Sequence, residues 1–144
     1  MNCSTGDIFE TFTLDRECDK NGCAKLHAEP HLREFDECFS GNSRMGDVDG
    51  IIERKGHILI IEWKNAAKLE SFEKFHMAQV ITAKSFTANN YKHQWWFVIG
   101  NPQTMEVRKV RAIKRGDWHH DDWLDFDLER LKTALEDWWT KANG

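Results

Sequence analysis

The segment Asp47-Val48-Asp49-Gly50-Ile51-Ile52-Glu53-Arg54-Lys55-Gly56-His57-Ile58-Leu59-Ile60-Ile61-Glu62-Trp63-Lys64 decides how the rest of the chain is read. It holds two strand-like runs, 47–54 and 57–64, around Lys55-Gly56, a pair suited to a two-residue hairpin loop. Side chains alternate along a strand, so Ile58, Ile60, Glu62 and Lys64 share one face, with Leu59, Ile61 and Trp63 on the other. Both faces of the second run are apolar over most of their length, the pattern of a strand covered on both sides. Yet the face that begins with two isoleucines ends in a carboxylate and an ammonium.

A two-residue loop sets Arg54 opposite His57. Carried along the hairpin, that register sets Asp49 opposite Glu62 and Asp47 opposite Lys64. Facing residues hold their Cβ atoms about 4.5–5.5 Å apart, and two carboxylates at that distance repel unless something cationic lies between them. A divalent metal with oxygen ligands satisfies both; Mg²⁺ typically takes one or two carboxylates plus water and substrate phosphate. Lys64, two residues beyond Glu62 on the same face, is placed to orient a water beside that metal or help deprotonate it. Metal, carboxylates and lysine together are equipment for phosphodiester hydrolysis. The competing reading is a hairpin end whose Asp47, Asp49, Glu62 and Lys64 are merely solvated, and a one-residue change in the loop separates the pair.

Outward from the hairpin, the pattern is mixed α/β. Pro30 suits the first turn of a helix reaching Cys38, with Leu32, Phe35 and Phe39 inward, and residues 7–17 carry a weaker helical pattern. Residues 66–86 place Leu69, Phe72, Phe75, His76, Gln79, Val80 and Ala83 at helical spacings. Gln94 to Ile99 is a third strand, Met105 to Ile113 a fourth, and a last helix spans 125–142 with Leu128, Leu131, Leu135, Trp138 and Trp139 on one side. The order helix, β, β, helix, β, β, helix predicts one α/β domain over 1–144, a mixed sheet flanked by helices.

The 144 residues suffice for a real core, and no stretch approaches the roughly 20 apolar residues of a membrane span. Met1 to Glu10 has neither a basic start nor an apolar run, so the sequence predicts a cytoplasmic protein. A net charge of −4 does not advertise a nucleic-acid binder, but charge is unevenly placed. Arg108, Lys109, Arg111, Lys114 and Arg115 form a basic strand, read either as phosphate contacts or as the charged guard of a sheet edge. Asp117, Asp121, Asp122, Asp125 and Asp127 follow it. Cys3, Cys18, Cys23 and Cys38 read as free thiols; Cys18 and Cys23 with His27 and His31 resemble a zinc set, but the spacing fits no common finger and Pro30 interrupts it. Trp118 and Trp123 flank His119-His120 in a polar loop, where they could stack on unpaired bases or simply pack.

The stretch from Gly46 to Glu53, followed by Glu62-Trp63-Lys64, resembles the P-D-(D/E)-x-K nuclease superfamily. The likeness is to its small phage-encoded, VRR-type and Holliday-junction-resolving members. It covers residues 46–86 and, more weakly, 94–100. Val48 stands where the motif has proline. The resemblance implies a restriction-endonuclease-like core of helix, three antiparallel-paired strands, helix and a further strand, and Mg²⁺- or Mn²⁺-dependent cleavage of DNA. It implies Asp49 and Glu62 as metal ligands, the backbone carbonyl of Trp63 as a third, and Lys64 as the catalytic lysine. Asp47 is a second candidate for the aspartate. A glutamate from the first helix, Glu34 or Glu37 ahead of Glu10, would join them, and Gln79 with His76 would complete the site from the following helix. The plainer alternative is that His76 and Gln79 cap an apolar stripe. A junction-cutting member would work as a homodimer. The rival expectations are a non-catalytic protein- or DNA-binding module on the same fold, or an interaction module with an accidental motif.

Overall fold

A computed structural model describes residues 32–39, 48–65 and 72–143. The chain divides into two compact units, 1–46 and 47–144. In the first, Leu32–Cys38 is a 3₁₀ turn rather than the expected α-helix. At three residues per turn, positions four apart no longer share a face. Phe35 and Phe39 are accordingly both exposed rather than inward. Asp47, Cys18 and Cys23 lie outside the described residues, as do residues 66–71.

The second unit is built on an open, mixed six-stranded sheet flanked by helices. Strands β1 (Gly50–Arg54) and β2 (His57–Lys64) form the anticipated hairpin. Lys55 and Gly56 both take positive φ, 50° and 83°, as a two-residue turn of the hairpin type requires. Arg54 faces His57 and Gly50 faces Ile61, so the register is the one read from the sequence. The ladder stops at Gly50, three residues later than the run starting at Asp47 suggested.

The chain then passes through a helix broken in two, α1 (Phe72–Phe75) and α2 (Met77–Ala88). His76 interrupts it with φ −120° and ψ 30°, although its N–H still bonds Phe72 O and its carbonyl still accepts from Val80 N–H. The continuous helix over 66–86 is therefore corrected to two segments. Strand β3 (His93–Asn101) returns parallel to β2, and β4 (Glu106–Lys114) runs antiparallel to β3. The expected three antiparallel strands ahead of the helix are not seen among the described residues; two precede it, and the other antiparallel pairings, all to β4, come after it. Segment 117–125, expected as loop, contributes β5 (Asp117–Trp118) and β6 (Leu124–Asp125), both paired with β4. The basic strand is therefore interior along part of its length, which corrects its reading as a sheet edge. Helix α3 (Leu128–Lys141) closes the unit, its first turn capped by the Asp127 carboxylate accepting Arg130 N–H at 2.7 Å.

Two cores result, one on each face of the sheet. Leu59, Trp96, Val98, Val107 and Val110 meet Leu131 and Trp138 of α3. Ile60, Trp95, Phe97, Ile99 and Ile113 meet Phe72, Val80 and Ala83 of α1 and α2. Leu59, Phe97, Val98 and Ile113 are completely buried. Each such side chain stabilises the fold by roughly 1.5–3 kcal/mol. Trp139, expected in the core, is largely exposed and carries the Arg54 guanidinium 4.4 Å over its ring. No helix among the described residues is long and apolar enough to cross a membrane.

A bulge between β3 and β4 reconciles two residues that the simple alternation would separate. Ile99 faces Lys109 but Gly100 faces Val107, so Arg108 is extra. Val107 and Val110 thereby reach the same core. The approach at Gly100 is close: a Cβ there would lie 1.9 Å from the Glu106 carbonyl oxygen. The obstacle is backbone and cannot swing aside. Gly100→Ala is expected to lower stability by about 1–3 kcal/mol in urea unfolding; an unchanged midpoint would show that the bulge does not need glycine.

Candidate active site

Asp49 and Glu62 stand where the hairpin register puts them, beyond the end of the β1 ladder. There the ladder is replaced by a reciprocal pair of side-chain bonds. Asp49 N–H donates to Glu62 Oε1 at 3.2 Å, and Trp63 N–H donates to Asp49 Oδ2 at 2.7 Å. In an antiparallel strand a residue's N–H and C=O point to the same edge. Because the Trp63 N–H is turned to Asp49, its carbonyl is directed to that edge too, past the last β1 residue. The Trp63 indole N–H bonds the Glu106 carbonyl at 3.2 Å and ties the end of β2 to the start of β4. Nothing in the residue pattern signalled that tie.

Glu62 is 2% exposed, the one buried charged residue among the described residues. It sits on the α2 face, and the helix delivers Gln79 onto it: Gln79 Nε2 donates to Glu62 Oε2 at 3.2 Å. Lys64 Nζ lies 3.5 Å from the same oxygen. Burial is the main cause that pushes the Glu62 carboxyl above the usual carboxylate range, and the Asp49 charge adds to it; Lys64 and the Asp49 N–H pull the other way without cancelling them. Gln79 Oε1 is buried with no hydrogen-bond partner. An unpaired buried carbonyl oxygen costs about 1–3 kcal/mol, so this amide is held at a cost beside the Glu62 carboxylate. His76, one turn before Gln79, packs its ring 4.6 Å from Phe72. Burial, and then the Lys64 charge, hold the imidazole below its usual range, which puts His76 on the same side as Lys64.

The structure thus brings together Asp49, Glu62, Lys64, Gln79 and His76. It does not gather the basic strand into one stripe. Lys109 is ion-paired with Asp125. Arg111 donates to the His120 and Asp121 carbonyls and lies 4.3 Å over the Trp118 ring. Arg108 lies 3.6 Å from Glu106, Lys114 turns to the α3 face, and Arg115 occupies a positive-φ turn. Trp118 and Trp123 are half-buried in a ring cluster with Phe97 and Phe72. Glu34 and Glu37 are exposed on the 3₁₀ turn of the first unit.

The donors present fit a hard divalent cation better than zinc. They are two carboxylates, a main-chain carbonyl and an unsatisfied amide oxygen, all oxygens, which suits Mg²⁺ or Mn²⁺. Among the described residues no three His, Cys, Asp or Glu side chains converge as a ready-made cage. Such a site would rely on water for its remaining ligands, as Mg²⁺ sites usually do. Comparison with protein-family models, with curated proteins and with solved structures gives no match.

Because folding favours the protonated form of Glu62, its contribution to stability is greatest at acid pH and is lost as pH rises through its raised value. Glu62→Gln is therefore expected to raise the melting temperature of the metal-free protein at pH 7.5, and the gain should vanish at acid pH. In the same variant, the stabilisation of the wild type by millimolar Mn²⁺ should disappear. Equal melting curves for the two proteins across pH would show that the buried charge is not a source of tension.

Proposed function

We propose that this chain is a metal-dependent nuclease of the P-D-(D/E)-x-K type, hydrolysing DNA phosphodiester bonds as an endonuclease. The observation that carries the reading is the Asp49–Glu62 pair. Two carboxylates are locked together across adjacent strand ends, one of them buried, with a lysine and an unsatisfied amide oxygen beside them. A hairpin followed by helical segments and a strand parallel to its second arm is also consistent with a restriction-endonuclease-like core.

In this reading Asp49, Glu62 and the Trp63 carbonyl would hold Mg²⁺ or Mn²⁺, and the unpaired Gln79 Oε1 would be a further oxygen donor. When bound, the ion neutralises phosphate charge and lowers the pKa of water. The protein's own groups do the rest. Lys64, held against Glu62 Oε2, orients the attacking water. Gln79 fixes the Glu62 carboxylate by its other amide hydrogen bond. His76, near enough to Lys64 to feel its charge, is an additional proton-handling group. The DNA contacts expected of Arg108 and Arg115 remain available, since neither is buried.

A non-catalytic binding module on the same fold is the second reading. It is favoured by one observation: Lys109 and Arg111 are spent on partners within the chain. Metal dependence separates the two, because a binding module needs no ion at Asp49 and Glu62.

The test is cleavage of plasmid, linear, single-stranded and four-way-junction DNA with Mg²⁺, Mn²⁺ or EDTA. Cleavage that requires the divalent ion, and that falls at least about 100-fold in both Asp49→Ala and Lys64→Ala, is the expected result. A preference for the four-way junction should come with a homodimer in solution, since two symmetric cuts need two sites. No cleavage of any substrate, with no Mn²⁺ stabilisation of the fold, would leave the binding module standing.

A further inference from the structure

On the opposite face of the sheet, β4 and α3 border two adjoining open cavities of about 200 and 180 Å³. Trp96, Lys114 and Ala134 line both. Lys141 and Gln94 border the first, and His119 and His120 the second. Lys114 faces Gln94 across the sheet, so both lie on the Trp96 face, away from Glu62 and Ile60. These basic groups are close enough to repel. Burial and the Lys141 charge push the Lys114 ammonium down; burial, Lys114 and His120 do the same to His119. The His119 and His120 rings are 4.5 Å apart.

Elsewhere on β4 the cations are neutralised or engaged, Lys109 by Asp125 and Arg111 by carbonyl oxygens. Lys114 and Lys141 have no ion pair among the described residues, although Asp137 borders the first cavity. Like charges gathered around a cavity, with Lys114 among them half-buried, are unfavourable unless an anion enters it, by the same logic that makes facing carboxylates ask for a cation. Lysine binds phosphate as a compact point charge, and Val110, Leu124, Phe126 and Trp96 supply apolar walls for a flat group attached to it.

We propose that these cavities are a binding site for a phosphate-bearing anion, held by Lys114 and Lys141 with His119, and with Trp96 as the apolar wall. The phosphate could arrive on a mononucleotide or as the end of a DNA strand. The site is separate from the Asp49–Glu62 pair and does not depend on the nuclease reading.

The test is calorimetric titration and thermal unfolding in EDTA at constant ionic strength, which removes any phosphate held through a metal. The probes are inorganic phosphate, deoxyadenosine monophosphate, and a short oligonucleotide with either a 5′-phosphate or a 5′-hydroxyl. Wild type should give a saturable heat and a rise in melting temperature. Lys114→Gln should melt higher than wild type without ligand, because the repulsion is gone, and should bind at least about tenfold more weakly, a loss of about 1.4 kcal/mol. Lys141→Gln, at the exposed end of α3, should weaken binding several-fold and guards against a folding defect in the first variant. Binding of the mononucleotide identifies a free ligand, and selective binding of the 5′-phosphorylated strand identifies a DNA end. No response to any probe, or equal affinity in wild type and both variants, would overturn the site.

Discussion

The two-residue turn at Lys55-Gly56 is the constraint from which the candidate site follows. Both residues sit at positive φ, which sets the twist of the hairpin and leaves a single register. A slip by one residue would turn Glu62 from the α2 face to the α3 face and exchange it with an apolar neighbour. The apolar pattern of β2 forbids that slip, because Leu59 and Ile60 are each buried in a different core. Turn geometry and burial therefore agree on one arrangement. That arrangement ends the ladder at Gly50 and leaves Asp49 to close it with its own main chain and carboxylate.

The consequence is an electrostatic tension at the end of β2. Glu62 is buried by the helix that brings Gln79 to it, and the donors it receives do not outweigh burial and the neighbouring Asp49. A fold selected for stability alone would be better served by an apolar residue or a neutral amide here. The α3 face carries a tension of opposite sign around Lys114, Lys141 and His119. An excess of one charge set against a cavity is a common mark of a ligand site, since the ligand supplies the missing counter-charge. The two tensions lie on opposite faces of one sheet, each beneath its own helix.

Much of this was legible from residue pattern. Alternation in 57–64, the Lys55-Gly56 turn and the spacing from Asp49 to Glu62 suffice for the hairpin, its register and the meeting of the two carboxylates. Gln79 was expected there from the resemblance alone, and His76 from its three-residue spacing to Gln79. Other features were not legible. The break at His76 interrupts an uninterrupted helical pattern and has no proline or glycine to announce it. Segment 117–125 is too polar and too short in apolar runs to read as strand; its two pairs form because β4 offers a free ladder edge there. Phe35 and Phe39 were assigned inward by an α-helical period that a 3₁₀ turn does not have.

By itself the sequence determined the local periods, the turn and the hairpin register, because these depend on neighbours within a few residues and on which side chains avoid water. It also determined that a carboxylate and a lysine end an otherwise apolar face. Only the tertiary structure decided that Glu62 is buried and its acidity weakened, that Gln79 leaves one amide oxygen unpaired, and that Lys114 turns toward Lys141 and His119 while Lys109 finds Asp125. Most of those outcomes depend on groups far apart in the chain, as with Gln79 and Glu62, 17 residues apart, and on water excluded by packing. Neither quantity is written in any local stretch of the chain.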